Sequence, residues 1–339
     1  MEATMHTSTL IYILFEAFLA VCCCLGNMLV ILALWTRKCI KQPTYCLIVS
    51  LAVADFMVGC VTIPFAVVMV VELKTSFHCC LFLSCAVILF TVVSVLCLVA
   101  IAVDRFLRVY IPLRYKRTVT KKHSWLVVAA CWFISIPLSF TPMFGWYNHQ
   151  SLLKTANSTM ICRFKDVITS SYLVYFNFFL CTLVPLLVMI VLYGYVFCTI
   201  RGSLREKPGN GFQQQCQNYL KKERDLAGSL ALVLGLFALC WLPLHITNCI
   251  AYFESHVSGA AFYFGILLSH ANSAVNPIVY AFRIEKIKTA YFEFWKRMIS
   301  CGKEKQGSQS SQTTDDNQSN NANSQANHLG RKQDLWFCD

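Results

Sequence analysis

The sequence predicts an all-α membrane protein that crosses a bilayer seven times and ends in a short amphipathic helix. Three observations carry that reading. The chain of 339 residues is 57% hydrophobic and only 14% charged, with a mean hydropathy of +0.55, too apolar for soluble domains of that total length. Apolar runs of about 20 residues or more, the length a helix needs to cross hydrocarbon, recur throughout. They fall at 10–35, 44–71, 80–109, 124–145, 171–201, 226–252 and 260–282. The basic residues are also unevenly placed: with the N-terminus outside, the outer segments hold Lys74, Lys154, Arg163 and Lys165, four of the 29. The rest sit at inner helix ends, inner loops or the tail, so the N-terminus is extracellular and the C-terminus cytoplasmic.

The net charge of +12 is therefore an inner-face property, suited to anionic membrane lipid and an acidic cytoplasmic partner. No compact basic module with base-stacking aromatics is present, and no nucleic-acid partner is expected. No cleavable signal peptide is evident, and the first span is expected to serve as its own insertion signal. Most of the 19 cysteines lie inside apolar runs, where they behave as small hydrophobes. Cys79, Cys80 and Cys162 sit near the oxidising outer side, the place for a disulfide. No CxxC pairs with His at zinc spacing, so no structural metal is expected.

Taken in order, the first span contains Glu16 and Gly26-Asn27, and the second carries Asp55 in LAVAD near the bilayer middle. A buried carboxylate there needs partners or a cation. The third span ends in Asp104-Arg105-Phe106 and has no charged residue between Cys80 and Asp104. A pocket for a protonated amine would lack its carboxylate on that helix, which offers Val87 and Thr91 instead. Asn157-Ser158-Thr159, after the fourth span, is an outward sequon, so Asn157 is a glycosylation site. Pro185 is expected to bend the fifth helix. The stretch 202–222 reads as a polar, Gln-rich inner loop rising into Lys221, Lys222, Glu223 and Arg224.

The sixth span holds Phe237 to Cys249, FALCWLPLHITNC. Pro243 kinks it. Trp241, Leu244, His245 and Asn248 stand at i, i+3, i+4 and i+7 and share one face across the kink. Singly, His245 or Asn248 reads equally well as glue between helices; four such residues on one face mark a ligand pocket. The seventh span reads SHANSAVNPIVY and has no Lys for a retinal Schiff base. Beyond it, 284–300 alternates aromatic and charged residues at helical spacing, an amphipathic helix on the inner surface that ends near Cys301. Cys301 is the palmitoylation candidate. Residues 302–339, dominated by Ser, Asn and Gln, are expected to be a disordered cytoplasmic tail after a receptor domain of 1–301.

GN, LAVAD, DRF, CWLP and NPIVY in register resemble the rhodopsin-like G-protein-coupled receptors. TPMFGW, YLVYFNFF, FALCWLPLHITNC and LLSHANSAVNPIVY narrow the resemblance to the adenosine receptors. It implies a seven-helix bundle with an outward pocket for adenosine and an inward cleft for a heterotrimeric G protein. Phe164 would stack on adenine and Asn248 clamp it; Ser269 and His270 would take the ribose, with Thr91 opposite and Glu16 fixing His270. Val87, Trp241, Leu244, His245, Asn177 and Ile266 would complete the walls. Asp55, Ser94, Trp241, Asn272, Ser273 and Asn276 match an allosteric sodium site, and no other cofactor is implied. Asp104, Arg105 and Glu223 would hold the inner side shut, with Pro277 and Tyr280 in the switch. Cys80 is the cysteine expected to bridge to Cys162.

Two departures stand out: DRF replaces the commoner DRY, and Lys165 stands where several adenosine receptors carry an acid, so the lid contact to His256 is lost. The last helix most resembles subtypes that inhibit adenylate cyclase, while CWLP resembles those that stimulate it; inhibition is expected. No repeated halves speak for a transporter, and no HExxH-type spacing or nucleophile–base pair speaks for an enzyme. The competing reading is a receptor of the same fold for another small neutral ligand, such as a nucleotide or a lipid.

Overall fold

The computed structural model describes residues 2–36, 43–155, 159–205, 211–254, 257–284, 287–293 and 296. Asn157, His256, Cys301 and the tail 302–339 lie outside them. Seven long helices run through the described residues: α1 (Glu2–Thr36), α2 (Pro43–Val70), α3 (Phe77–Tyr110), α4 (Lys121–Phe140), α5 (Tyr172–Arg205), α6 (Gly211–Phe253) and α7 (Gly259–Arg283). The first six are long and apolar enough to cross a membrane. α7 falls short on hydropathy alone, because Ser269, His270, Asn272, Ser273 and Asn276 interrupt it, all of them buried. Polar groups at that depth are tolerated where they face protein.

α1 packs on both α2 and α7, α7 on α6, α6 on α5 and α5 on α3, while α3 also touches α2 and α4. The result is a closed bundle with α3 near its centre. Ile48, Val93, Ile101, Met189, Leu230, Phe237 and Tyr280 form one buried core across it. Outward faces carry large apolar residues such as Leu14, Phe18 and Leu25 on α1 and Phe133 on α4, as a lipid-facing surface requires. Two glycines set close approaches: a Cβ at Gly26 would lie 3.0 Å from Pro277, and one at Gly265 would lie 3.0 Å from the Leu244 backbone.

Two helices depart from regular α geometry, each just before a proline, Pro64 in α2 and Pro185 in α5. Val58–Thr62 of α2 is π-helical, with the Ile63 N–H bonded to the Val58 carbonyl. Tyr172–Leu183 of α5 is π-helical too, and the Val184 N–H reaches Phe179. Pro64 and Pro185 supply no N–H to the preceding turn, which widens instead of closing on i+4. The expected polar loop at 202–222 is largely helical: α5 runs to Arg205 and α6 starts at Gly211, since Gln and Lys are good helix formers. Past α7, residues 287–293 form the expected terminal helix, with Ile287 and Ala290 buried against the bundle.

At the end where α2 meets α3, Lys74–Thr75 pairs antiparallel with Met160–Ile161, a two-stranded piece that the sequence did not announce. Cys80 and Cys162 are disulfide-bonded beside it, and the Cys162 N–H donates to the Leu73 carbonyl at 2.7 Å. Cys79 remains a free, exposed thiol. Gly145, at φ 119°, ends the short 3₁₀ turn Thr141–Phe144 in a conformation that favours glycine. The loop beyond it folds back through the helical turns His149–Thr155 and Phe164–Val167.

Candidate functional site

Three polar assemblies occupy the bundle at successive depths. At the disulfide end, α3 supplies Val87 and Thr91, the loop Phe164, α5 Asn177, α6 Trp241, Leu244, His245 and Asn248, and α7 Ile266, Ser269 and His270. Val87 and Phe164 pack against one buried cluster with Tyr172 and the Cys80–Cys162 pair. His245 is 2% exposed, stacks on Phe178 with ring centroids 4.8 Å apart, and lies 5.9 Å from the Trp241 ring. Both His245 nitrogens, Trp241 Nε1 and Asn177 Oδ1 are buried without a hydrogen-bond partner. Such groups carry a desolvation cost that a polar ligand or water relieves. Asn248 stands one turn from His245, half-buried. Ser269 donates to the Ile266 carbonyl of its own helix at 2.7 Å. Among the described residues, no side-chain hydrogen bond joins Thr91, Asn248 or Ser269 to a pocket residue of another helix.

α1 enters this assembly through Glu16, which is 0% exposed. The His270 Nδ1 lies 2.8 and 3.0 Å from its two carboxylate oxygens. With Nδ1–H donating to the carboxylate, a neutral imidazole presents Nε2 as an acceptor. One turn before Glu16, the Tyr12 ring meets Tyr263 of α7 at a tilt, with centroids 4.6 Å apart, a second α1–α7 contact that sequence reading missed. Across the mouth, Lys165 Nζ stands 3.1 Å from the Phe262 ring centroid. Partial burial of its ammonium pulls the Lys165 pKa below the ordinary lysine value. Neither Phe262 nor Tyr263 carries a sequence signal beyond membership of α7.

Deeper, the fully buried Asp55 accepts from Ser273 Oγ and Asn276 Nδ2, both at 2.8 Å. Asn27 donates to the Ser273 carbonyl at 2.9 Å, so the GN of α1 buttresses the same turn of α7. Asn272 Oδ1 and Asn276 Oδ1 are buried without partners. A carboxylate, a hydroxyl and two unpartnered amide oxygens are the hard donors that a small cation prefers, so the residues present fit a sodium ion. Ser94 bonds its own helix, at the Phe90 carbonyl. Trp241 offers only an indole N–H; it can wall such a site but cannot ligate.

At the opposite end, Arg105 is 1% exposed and pairs with both Asp104 and Glu223, the latter at 2.7 Å. Sequence reading missed three members of this network. Arg108 reaches Asp104 at 3.2 Å and Glu223 at 3.8 Å. Its guanidinium lies 4.8 Å from the Tyr115 ring centroid. Thr44 donates to Asp104 at 2.5 Å and accepts from Arg105, and the Tyr115 hydroxyl donates to Asp104. Burial beside that carboxylate pushes the Tyr115 phenol pKa up. Arg108 was findable as the i+4 partner of Asp104; Thr44 and Tyr115 were not. Pro277 packs against Gly26, and Tyr280 is fully buried with its hydroxyl unpartnered. Phe106, the departure from DRY, stacks on Tyr110 at 5.2 Å and meets Tyr195 edge-on at 5.1 Å.

A family model described as the 7 transmembrane receptor (rhodopsin family) matches residues 26–280. The chain is similar to the adenosine receptor A3 of Ovis aries, 42% identical over 290 residues that cover 86% of this chain and 91% of that one. It is 41% identical to the adenosine receptor A3 of Canis lupus familiaris over 291 residues, 86% and 92% of the two chains. The same receptor of Bos taurus is 41% identical over 290 residues, 86% and 91%.

Proposed function

The chain belongs to the adenosine receptors of the rhodopsin family of seven-transmembrane receptors, and we propose on that premise that it binds extracellular adenosine and signals through a heterotrimeric G protein. It is a multi-pass receptor of the plasma membrane and not an enzyme. The scarcity of Lys and Arg in the segments at the disulfide end supports the reading that this end, and the N-terminus, face outward.

The observation that carries the ligand assignment is the Glu16–His270 contact. A buried carboxylate fixes an imidazole one residue from Ser269, which leaves Nε2 and a hydroxyl for a ribose. Asn248 then supplies the adenine contact: its carbonyl accepts from the exocyclic amine and its NH₂ donates to N7, the pairing Asn makes with adenine in DNA. Phe164 gives the ring a flat apolar face. A nucleotide or lipid fits less well. A triphosphate needs a cluster of outward cations, but Arg163 lies 3.4 Å from Glu72, Lys165 stands against Phe262, and Lys154 belongs to the separate turn His149–Thr155.

Agonist contacts deep in the pocket favour the state in which α6 leaves Arg105, by the difference in affinity for the two states. Asp55, Ser273, Asn272 and Asn276 are the residues that would hold a sodium ion, which would supply the charge compensation that the buried Asp55 carboxylate otherwise lacks. Inhibition of adenylate cyclase is the output favoured by the likeness of α7 to inhibitory subtypes. The test is displacement of a radiolabelled adenine-type antagonist by adenosine on membranes of transfected cells, with cyclic AMP as second readout. Failure of adenosine to compete overturns the ligand; competition with a rise in cyclic AMP overturns only the direction of coupling.

A further inference from the structure

We propose that Cys24 of α1 and Cys60 of α2 form a dithiol at the lipid-facing seam that closes to a disulfide when a lipid-phase hydroperoxide reaches it. Their Sγ atoms lie 3.4 Å apart, in thiol–thiol hydrogen-bond contact. Cys60 is exposed and Cys24 half-buried. Both stand inside spanning helices, so the medium at the exposed sulfur is hydrocarbon. The position is unconnected with the pocket, the Asp55 cluster or the Arg105 network, none of which uses either thiol.

Two backbone features bring the sulfurs together. A Cβ on Gly59 would lie 2.8 Å from Cys24 Sγ and 3.0 Å from the Ala20 carbonyl. α1 therefore rests directly on the α2 backbone at this turn, an approach that only glycine permits. Cys60 also lies in the π-helical stretch Val58–Thr62, whose wider turn shifts side chains off the regular α-helical register. Of the three consecutive cysteines on α1, Cys23 packs on α2 but turns its Sγ to the His270 carbonyl at 3.8 Å, and Cys24 is the one whose sulfur reaches a cysteine of α2. Cys97 and Cys131 are a contrasting pair, both buried, shut away from anything dissolved in lipid.

The asymmetry of exposure assigns the steps. The Cys60 sulfur attacks the hydroperoxide, its O–O bond breaks, and the products are a sulfenic acid on Cys60 and an alcohol. The Cys24 sulfur then attacks the sulfenic sulfur, the S–O bond breaks, and the thiol proton leaves with the hydroxyl as water. Two thiols are oxidised by two electrons and one hydroperoxide is reduced. A thiol in hydrocarbon is a slower nucleophile than a thiolate, so the reaction needs sustained exposure. The product ties α1 to α2 by a covalent bond.

The test is treatment of membranes carrying the full-length receptor with cumene hydroperoxide, followed by alkylation and mass mapping without reduction. The expected major product is a peptide containing Cys24 linked to one containing Cys60. It should be lost in Cys24→Ser and in Cys60→Ser at unchanged surface expression, and reversed by a phosphine after solubilisation. A second measurement uses a protease site inserted within 37–42: after cleavage, oxidised receptor should stay joined on a non-reducing gel. Two thiols that remain fully alkylatable, a Cys60 sulfinic acid beside a free Cys24, or linkage through Cys22 or Cys23 would each overturn the proposal.

Discussion

Replacing Glu16 by Gln changes one charge at the contact that orients His270. The carboxylate is fully buried and engages Nδ1 through both oxygens, at 2.8 and 3.0 Å. Glutamine keeps the shape and one carbonyl acceptor but loses the charge. A hydrogen bond to a charged group contributes about 1.5–3 kcal/mol and a neutral one about 0.5–1.5, so the ring's preferred orientation weakens by about 1–1.5 kcal/mol. The amide can also present its NH₂ to Nδ1, which moves the imidazole proton to Nε2 and reverses what the ribose meets. At 1.4 kcal/mol per tenfold, Glu16→Gln should weaken adenosine about 5- to 12-fold. An adenine-type antagonist without ribose should bind as before. The assay is competition binding with both ligands on membranes matched for surface expression. Equal loss for both would make Glu16 a folding element, and no loss for adenosine would remove His270 from the ribose contact.

Three further outcomes are expected. Asn248→Ala should weaken agonists and adenine-like antagonists alike, since about 1–3 kcal/mol per stranded group over two hydrogen bonds amounts to about 2–6 kcal/mol; Ser269→Ala should spare antagonists that lack ribose, and normal adenosine binding by Asn248→Ala would end the adenine-clamp assignment. Asp55→Asn should leave antagonist affinity nearly intact and abolish the loss of agonist affinity caused by sodium chloride, because ion and agonist are reciprocally coupled; a preserved sodium response excludes Asp55. Glu223→Gln replaces a charged hydrogen-bond acceptor of Arg105 by a neutral one while Asp104 stays, a loss of about 1–1.5 kcal/mol to the closed state, so agonist-independent signalling should rise; with Arg108→Ala it should rise less, and unchanged basal cyclic AMP in both would show that the network does not restrain α6.

How much of this was legible follows from what each feature depends on. All seven spans were read from apolar runs; six are long and apolar enough to cross a membrane, while in α7 the buried Ser269, His270, Asn272, Ser273 and Asn276 lower the hydropathy that 260–282 seemed to offer. Asp55 was visible as a carboxylate needing partners, because burying a charge in lipid is costly wherever it falls in the fold. Its partners Ser273 and Asn276 came by resemblance, since a pairing 218 or 221 residues apart leaves no local trace. The π-helical turns were hidden for another reason: pattern reading assumes a period of 3.6, while Pro64 and Pro185 act on the turn before them. Thr44 and Tyr115 look like ordinary helix residues until the fold brings Asp104 to them. Within 202–222, which polarity marks as loop, the described residues are helical, because polarity and helix propensity point in opposite directions there and propensity wins.

α7 and α6 are held in physically different ways, and the difference says which of them moves. Along one face of α7, His270 binds Glu16, Ser273 and Asn276 bind Asp55, and Pro277 packs on Gly26, a line of buried contacts to α1 and α2 at successive turns. Displacing α7 would strand several buried polar groups at once, each costing about 1–3 kcal/mol. The middle of α6 offers the reverse: Trp241 Nε1 and both His245 nitrogens are already unpartnered, so shifting that helix gives up no hydrogen bond there. Besides apolar packing, what restrains α6 is the polar contact at its far end, where Glu223 meets Arg105 and Arg108. A ligand that reaches Asn248 and the turn below it therefore acts on the helix whose interior bonds cost least to rearrange. The force opposing it is concentrated in one ionic cluster at the opposite face.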